Sequence, residues 1–276
     1  MRPGRIISTL GLLLALAMPA TAQEPIRFSM MPRFYPEKIA SMIRPLFVYL
    51  SGKTGMQFVD VPAKNNADFE SRIRDGQIDI GFENPILYAR ISDVHEVALT
   101  ASEGESSGLY RGIVLTQSGS SLKRLQDLKN KKIMTVGETS GGGYLSQKIA
   151  LAEMGFNLDA DCRIETAADN KQENVIIAVS IGEVEAGFVR ESALRLADKY
   201  IQPGSIRVMG YGAWLPGWAF SMKRTFSEDK KRLIVNALLE LKPEDPELKA
   251  LEVKAFAPIT DAYYEPLKKS LTPARQ

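Results

Sequence analysis

The sequence predicts an α/β fold with two lobes, each a mostly parallel sheet flanked by helices, and a ligand cleft between the lobes. Three observations lead to this prediction. The pattern G-x-[IV]-[DE]-x-G-F occurs twice, beginning at Gly76 and at Gly182. A strand–helix–strand segment precedes each copy, and a helical stretch follows it. Two extended segments then connect the halves. Chance similarity between common α/β phrases is the alternative explanation of the repeat.

Residues 1–22 have the features of a secretory signal peptide. A basic start at 1–5 precedes the apolar run Ile6–Ala17, and small residues at 20–22 form a cleavage site. The apolar run is shorter than the ~20 residues that span a bilayer, so an uncleaved anchor is the weaker alternative. We therefore expect export to the periplasm and a mature chain that begins at Gln23. No cysteine follows the cleavage site, so we expect no lipoprotein anchor.

The charge and the rare residues exclude several classes of function. Without the two arginines of the leader, the chain has 33 basic and 33 acidic residues. Such a balance lacks the basic patch of a nucleic-acid binder. Cys162 is the single cysteine and His95 the single histidine. A disulfide, a cysteine-rich or histidine-rich metal site and a Ser-His-Asp triad are therefore difficult to build. We expect no metal, no cofactor and no catalysis.

Each half of the chain begins with strand, loop, helix, turn and strand. The first segment is IRFSMMPRFYPEKIASMIRPLFVYLSGKTGMQFVDV, and the second is KKIMTVGETSGGGYLSQKIALAEMGFNLDADCRIET. Their helices end near Gly55 and Gly155. The helix predictions depend on apolar residues at the 3.6-residue spacing, namely Ile39, Met42, Ile43 and Leu46 in the first segment and Leu145, Ile149 and Leu151 in the second.

Two extended segments predict where the chain crosses between lobes. GLYRGIVLTQSGSS leads from the first half to the second, and IRVMGYGAWLPGWAFSMKR leads back. We therefore assign residues 23–114 plus 212–276 to a discontinuous lobe one and residues 115–211 to lobe two. Hinges are expected near Leu115-Thr116 and Tyr211-Gly212. The tail after the second crossing is predicted to be helical, with Ser227 as a helix cap.

The predicted carboxyl ends of the strands locate the ligand cleft. In open α/β sheets, ligands bind outside these ends, where helix N-termini favour anions. The candidate residues in lobe one are Arg33, Tyr35, Glu83 and Asn84, and those in lobe two are Thr139, Ser140, Gly141, Gly142 and Arg190. The arginines suit an oxyanion, or are solvated loop charges. For Thr139 and Ser140 there are two expected roles, which are binding of the ligand and capping of the helix that follows.

Three phrases carry a resemblance to a known family. They are RPLFVYLSGKTGMQFVDV, IRDGQIDIGFENPILYAR and YRGIVLTQSGSSLKRLQDLKNKK with GETSGGGYLSQKIAL. In order and spacing, the chain resembles the periplasmic phosphate/phosphite/phosphonate-binding proteins of ABC importers, the PhnD-like branch of the type II periplasmic binding proteins. The resemblance covers roughly residues 26–239. It implies a two-lobe clamp that closes on a small ligand and presents it to a membrane partner.

The ligand residues of that family are changed at several matching positions. Ser140-Gly141-Gly142-Gly143 stands where the family has Ser-Thr-Ser-Gly, so backbone donors remain and two hydroxyls are missing. By the same resemblance, Phe69 replaces a tyrosine, Gln172 a histidine, Trp218 an acid, and Glu83 an aromatic residue. The aromatic side chains Tyr35, Phe69, Trp214 and Trp218 either form walls of the pocket or pack in the core.

We therefore expect a periplasmic solute-binding protein that takes an oxyanion or a small organic solute and delivers it to an ABC permease. Two alternatives remain open. In the first, the protein is a ligand-sensing partner of a membrane sensor kinase. In the second, it is an accessory protein whose cleft is degenerate. An exported hydrolase using Ser140 is the weakest hypothesis, since His95 is the only histidine available as a base. We expect a monomer.

Overall fold

The computed structural model describes residues 24–102 and 108–271, which form two β-sheets flanked by helices. The predicted signal peptide lies outside the described residues. Within them, every helix is too short or too polar to cross a lipid bilayer.

The strands of the described residues are, in chain order, β1 (Ile26–Met30), β2 (Phe58–Asp60), β3 (Ile80–Glu83), β4 (His95–Ser102), β5 (Leu109–Tyr110), β6 (Gly112–Gln117), β7 (Lys132–Thr135), β8 (Arg163–Thr166), β9 (Ala186–Arg190), β10 (Ile206–Tyr211), β11 (Leu215–Pro216), β12 (Trp218–Lys223) and β13 (Ala255–Pro258).

The α-helices are α1 (Pro36–Thr54), α2 (Asn66–Arg74), α3 (Pro85–Ile91), α4 (Ser146–Glu153), α5 (Leu158–Asp161), α6 (Gln172–Ser180), α7 (Glu228–Leu239), α8 (Pro246–Leu251) and α9 (Glu265–Leu271). Tighter 3₁₀ turns cover Leu125–Leu128, Ala168–Asn170, Glu191–Lys199 and Asp261–Tyr264, and a π-helical turn covers Gly141–Leu145.

The predicted α/β fold class is confirmed, but both sheets are mixed rather than mostly parallel. The first sheet has the order β13-β4-β12-β3-β1-β2, and the second has the order β10-β6-β9-β7-β8. Pairs among β1, β2 and β3 and among β7, β8 and β9 are parallel. The strands β4, β6, β10, β12 and β13 pair antiparallel. β12 and β6 run against the parallel strands beside them, β3 and β9, and each of the two follows a crossing between the sheets.

The repeat seen in the sequence corresponds to a repeat in the structure. The centre of each sheet has equivalent strand orders, β2-β1-β3 and β8-β7-β9. Gly76 and Gly182 lie in equivalent turns with φ of 67° and 76°, a conformation that glycine adopts without a Cβ penalty. When these two glycines are aligned, Asn84 matches Arg190 and Glu83 matches Val189.

Each sheet has its own hydrophobic core. In the first, fully buried Phe28, Phe82 and Phe220 pack with α1, α7 and α8 on one face. On the other face, Phe69 of α2 and Tyr88 of α3 are buried in a cluster with Val97 of β4 and Ala219 of β12. The second sheet is likewise covered on both faces, by clusters around Val175 and Phe188. These two cores define the two lobes.

A short two-stranded ribbon joins the sheets. In it, β5 pairs antiparallel with β11, so that Leu215 lies opposite Tyr110. Leu115 and Thr116, where we predicted a hinge, lie inside β6 of the second sheet. The chain leaves the first sheet at Ser102, and it returns to that sheet at Trp218. Both crossings therefore run through the ribbon.

The tail was predicted to be entirely helical, and this prediction was wrong at β13. This strand pairs with β4 at the edge of the first sheet, where Phe256 lies opposite Ala101. The segment AFAP is too short to show the alternation of apolar and polar residues that indicates a strand. Its extended conformation depends on pairing with β4 at the edge of the sheet. Ser227 precedes α7 as predicted, but its side chain forms no capping hydrogen bond among the described residues.

Gly52→Ala is expected to stabilise the protein by about 0.5–1 kcal/mol, because glycine inside a helix loses more chain entropy on folding than alanine does. Gly52 is an exposed residue of α1, and an added Cβ would meet nothing within 4 Å. The free energy of unfolding in urea measures the effect. Gly55→Ala is the matched control. Gly55 ends the same helix with φ of 70°, so alanine there should destabilise the protein. Equal effects of the two substitutions would contradict this account.

Candidate ligand-binding site

A cavity of about 750 Å³ lies between the two sheets beside the ribbon. The first sheet and α3 contribute Asn84, Pro85, Ile86, Ala101, Ser102 and Trp218. The second lobe contributes Thr139, Gly141, Arg190, Glu191, Ser192, Leu194 and Arg195. The two crossings contribute Gly108, Leu109, Tyr110, Arg111, Trp214 and Gly217. The cavity thus has a wall on each lobe and a floor on the ribbon.

The cavity brings together some of the residues that the sequence singled out. These are Asn84, Thr139, Gly141, Arg190 and Trp218, and also Trp214, which we considered as an aromatic wall. Seven other candidates lie outside its lining, namely Arg33, Tyr35, Phe69, Glu83, Ser140, Gly142 and Gln172. The structure gives most of these other residues a clear local role.

The glycine-rich loop packs too tightly to carry side chains. A Cβ on Gly141 would overlap the Tyr110 hydroxyl, and one on Gly142 would lie 2.8 Å from Cβ of Arg190. The Ser140 hydroxyl accepts a hydrogen bond of 3.1 Å from the Gly143 amide and so caps the π-helical turn. Tyr110 and Arg190 therefore occupy the space that side chains at 141 and 142 would fill.

Two buried residues tie this loop to the crossings. The Ser146 hydroxyl accepts from the Gly112 amide and donates to the Ala213 carbonyl, both at 2.7 Å. Gln147 donates through Nε2 to the carbonyls of Ile113, Gly142 and Val189. These hydrogen bonds connect the glycine loop to both crossings.

Arg190 ends β9 at the edge of the cavity. Its guanidinium lies over the Tyr110 ring, 4.2 Å from the centroid. Its backbone amide donates a 2.8 Å hydrogen bond to Oε1 of Gln172. Gln172, which the resemblance places at a ligand position, therefore positions Arg190 through the backbone in this structure instead of lining the cavity.

Arg111 and Glu191 form a bidentate ion pair in the cavity lining, with N–O distances of 2.8 and 3.0 Å. The Arg111 guanidinium also lies 3.9 Å from the centroid of Tyr211 and 4.6 Å from that of Trp214. The hydrogen bond to Arg111 lowers the pKa of Glu191, which keeps this carboxylate charged. Arg111 is therefore oriented before any ligand arrives.

Arg33 and Tyr35 lie on the lobe-one surface beside the cavity. The Arg33 guanidinium pairs with Glu252 at 3.2 Å and lies 4.7 Å from the centroid of Trp218. Arg33 thus lies over the ring of Trp218 and outside the cavity lining. Tyr35 is 81% exposed and immediately precedes α1. The partner Glu252 is distant in sequence, so no local pattern indicated this pairing.

Glu83 and Phe69 are core residues, because each is fully buried in lobe one. Neither carboxyl oxygen of Glu83 has a hydrogen-bond partner among the described residues. Desolvation raises its pKa to about 8, and the Ser221 hydroxyl beside it opposes this shift in part. Glu83 is therefore neutral at pH 7 and does not repel an anion in the cavity. Its equivalent in the second repeat, Val189, is also fully buried.

Sequence reasoning missed most of the other cavity residues, among them four that carry charge or a hydroxyl, namely Tyr110, Arg111, Glu191 and Arg195. Tyr110 and Arg111 stand in the first crossing, in the segment YRG. Arg195 lies five residues after Arg190 on the 3₁₀ turn Glu191–Lys199, a spacing that no helical periodicity indicates. No local signal marks Arg111 as the partner of Glu191.

The described residues contain no group of three His, Cys, Asp or Glu side chains that could hold a metal ion. The thiol of Cys162 donates to the Leu128 carbonyl at 3.2 Å, and burial raises its pKa to about 11. His95 is fully buried at the start of β4, where Nδ1 lies 2.9 Å from the Ser221 hydroxyl. Both residues therefore serve the interior packing of their lobes.

A sequence profile of the periplasmic substrate-binding proteins of phosphonate ABC transporters matches residues 28–264. Three solved structures share the fold. XAC2383 from Xanthomonas citri bound to ATP has a TM-score of 0.63 at 14% identity, over 90% of this chain and 95% of that one. PhnD1 from Prochlorococcus marinus (MIT 9301) in complex with methylphosphonate has a TM-score of 0.57 at 14% identity, over 88% and 96%. A phosphonate-transporter binding protein (PA3383) from Pseudomonas aeruginosa has a TM-score of 0.53 at 17% identity, over 90% and 85%.

Proposed function

The chain belongs to the family of periplasmic substrate-binding proteins of phosphonate ABC transporters, and from this premise we propose that it binds a small organic oxyanion in the cavity between its sheets. The observation that supports the proposal is the charge of the cavity lining. Among the described lining residues, Arg111, Arg190 and Arg195 are basic, and Glu191 alone is acidic. Guanidinium groups are the side chains best suited to phosphonate, sulfonate and carboxylate oxygens.

The proposed mechanism is closure of the two lobes around the ligand. Both crossings pass through the ribbon, and a ligand that contacts both walls stabilises the closed population by its additional affinity for that state. Through Ser146 and Gln147, the glycine loop moves together with the crossings. The ligand is then presented to the permease of an ABC importer.

The proposal includes export by cleavage of residues 1–22, a periplasmic monomer without a lipid anchor, and no chemical step. The Ser140 hydroxyl, the candidate nucleophile, is engaged in capping the π-helical turn, and His95 is buried in β4. The open cavity supports a binding function over an accessory protein whose cleft is filled by side chains. Sensing through a membrane kinase remains a second use of the same cavity. A gene for a permease beside this one would favour import, and a gene for a kinase would favour sensing.

Arg190→Ala is expected to weaken oxyanion binding about 10- to 100-fold, because it removes a charged hydrogen-bonding group worth about 1.5–3 kcal/mol. Isothermal titration of residues 23–276 with phosphate, methylphosphonate, phenylphosphonate, sulfonates, carboxylates and amines gives the affinities. Arg232→Ala is the control. Arg232 is an exposed residue of α7 in lobe one, paired with Asp229 on its own helix. Preferential binding of amines, or equal effects of the two substitutions, would contradict the proposal.

A further inference from the structure

The two walls of the cavity differ in chemistry. The lobe-one wall is largely apolar where α3 and β12 face the cavity, with Pro85, Ile86 and Trp218. Proline has no amide hydrogen to offer at this helix start. Asn84 already uses its Oδ1 to accept a 2.9 Å hydrogen bond from the Leu87 amide. The start of α3 therefore contributes few donors to an anion.

The lobe-two wall carries the charge and the polar groups. Arg190, Arg195 and Thr139 lie there, next to Gly141 at the start of the π-helical turn. Amide groups at a helical start favour negative charge. An oxyanion is therefore bound best at this wall, at some distance from the apolar wall across the cleft.

The aromatic side chain of the apolar wall is held in place from outside the cavity. The ring centroid of Trp218 lies 5.2 Å from that of Phe82, and the Arg33 guanidinium lies 4.7 Å from it. Tyr110 and Trp214 extend the aromatic surface across the ribbon towards the charged wall. A ligand thus meets an apolar surface already positioned for it.

The size of the cavity favours a ligand larger than an oxyanion head. Cavities of about 300–1,000 Å³ hold ligands of drug size, and this cavity measures about 750 Å³. A water molecule has about 30 Å³ of liquid volume, and an inorganic oxyanion is equivalent to only a few waters. If the two lobes closed on such an ion, the apolar side chains of Pro85, Ile86 and Trp218 would remain in contact with water.

We propose that the ligand is an amphiphilic organic anion, an inference that depends on the proposed oxyanion function. Its oxyanion group lies on the lobe-two wall near Arg190 and Arg195, and its alkyl or aryl body lies on Pro85, Ile86 and Trp218. Burial of the body on closure adds affinity, at about fourfold for each buried methylene group.

A series of phosphonates with one head group and different bodies tests this inference. Residues 23–276 are titrated calorimetrically with phosphate and with methyl-, butyl- and phenylphosphonate. We expect affinity to rise at least tenfold from methyl- to butylphosphonate, with a more negative heat-capacity change for the larger ligands. Phosphate or methylphosphonate as the tightest ligand would overturn the inference and leave the oxyanion function intact. A protein that melts cooperatively but binds none of the four would overturn the oxyanion function itself.

Ile86→Ser tests the assigned wall directly. It should reduce the ratio of butyl- to methylphosphonate affinity about fivefold, because it removes apolar surface facing the body of the ligand. Ile181→Ser is the control, since Ile181 is 68% exposed at the end of α6 and distant from the cavity lining. An unchanged ratio in Ile86→Ser, with normal thermal melting, would overturn the placement of the apolar body.

Discussion

Gly112→Ala is expected to lower the free energy of unfolding by about 3 kcal/mol, because there is no space for a methyl group at this point. A Cβ on Gly112 would lie well inside the 3.0 Å that real Cβ atoms keep from Nε2 of Gln147 and from the Gly142 carbonyl oxygen. One of these neighbours is backbone, and the other is a fully buried side chain. Neither can move without breaking other contacts.

The contacts at risk connect the crossing with the ligand loop. Gln147 Nε2 donates to three carbonyls, those of Ile113, Gly142 and Val189. Overfilling a packed site costs about 1–3 kcal/mol, and each lost hydrogen bond adds about 1 kcal/mol. We also expect ligand affinity to fall, because Gly142 lies between the crossing and Arg190.

Urea denaturation of the substituted protein measures the loss of stability. Gly119→Ala is the control, because Gly119 lies in an exposed turn and an added Cβ would meet nothing within 4 Å. A Gly112→Ala protein within 0.5 kcal/mol of the original would show that the loop and the crossing are not packed against each other as described.

The contribution of Glu83 to the stability of the original protein should fall as the pH rises from 4.5 to 8, and below pH 6.5 the buried His95 contributes in the opposite direction. Burial raises the pKa of this carboxyl to about 8, and the unfolded chain has the ordinary value of 4.5. Between these values the native state binds one proton that the unfolded state has released. The Glu83 contribution to the free energy of unfolding therefore decreases with pH. The full difference corresponds to about 5 kcal/mol at about 1.4 kcal/mol for each pKa unit.

Glu83→Gln should remove this pH dependence, because the amide is neutral in both states. The useful window is pH 6.5 to 8. Burial lowers the pKa of His95 from 6.5 to about 4, so above pH 6.5 this histidine is neutral in the folded chain and mostly neutral in the unfolded chain. Over that window the original protein should lose about 1.5 kcal/mol relative to the substituted protein.

The matched control for Glu83→Gln is Glu153→Gln, an exposed residue of α4. Its substitution should leave the slope of stability against pH unchanged. Identical slopes of stability against pH for the original protein and Glu83→Gln would mean that Glu83 is ionised in the folded chain.

Gly81 leaves space for the carboxyl group of Glu83. A Cβ at position 81 would lie 2.9 Å from the Ser221 hydroxyl and still closer to the carboxyl itself.

Glu83 also shows why the candidate site was only partly predictable. It directly precedes Asn84 at the end of β3, so a reading of strand ends selects both residues. Successive side chains of a strand point to opposite faces, and the pairing of β3 with its neighbours decides which one reaches the cleft. The internal repeat indicates which of the two residues reaches the cleft, because Glu83 aligns with the buried Val189 and Asn84 aligns with Arg190 of the cavity lining.

The alternating pattern of the chain determined its two-lobe α/β organisation, its internal repeat and the loops at the ends of its strands. These follow from local periodicity and from glycine turns, which a single sequence displays directly. The set of residues that surround the cavity depended on the tertiary structure. Arg111 meets Glu191, Arg33 meets Glu252 and Tyr110 meets Gly141 because two crossings and an edge strand bring distant segments together. Such contacts depend on sheet pairing and side-chain direction, which local patterns do not encode.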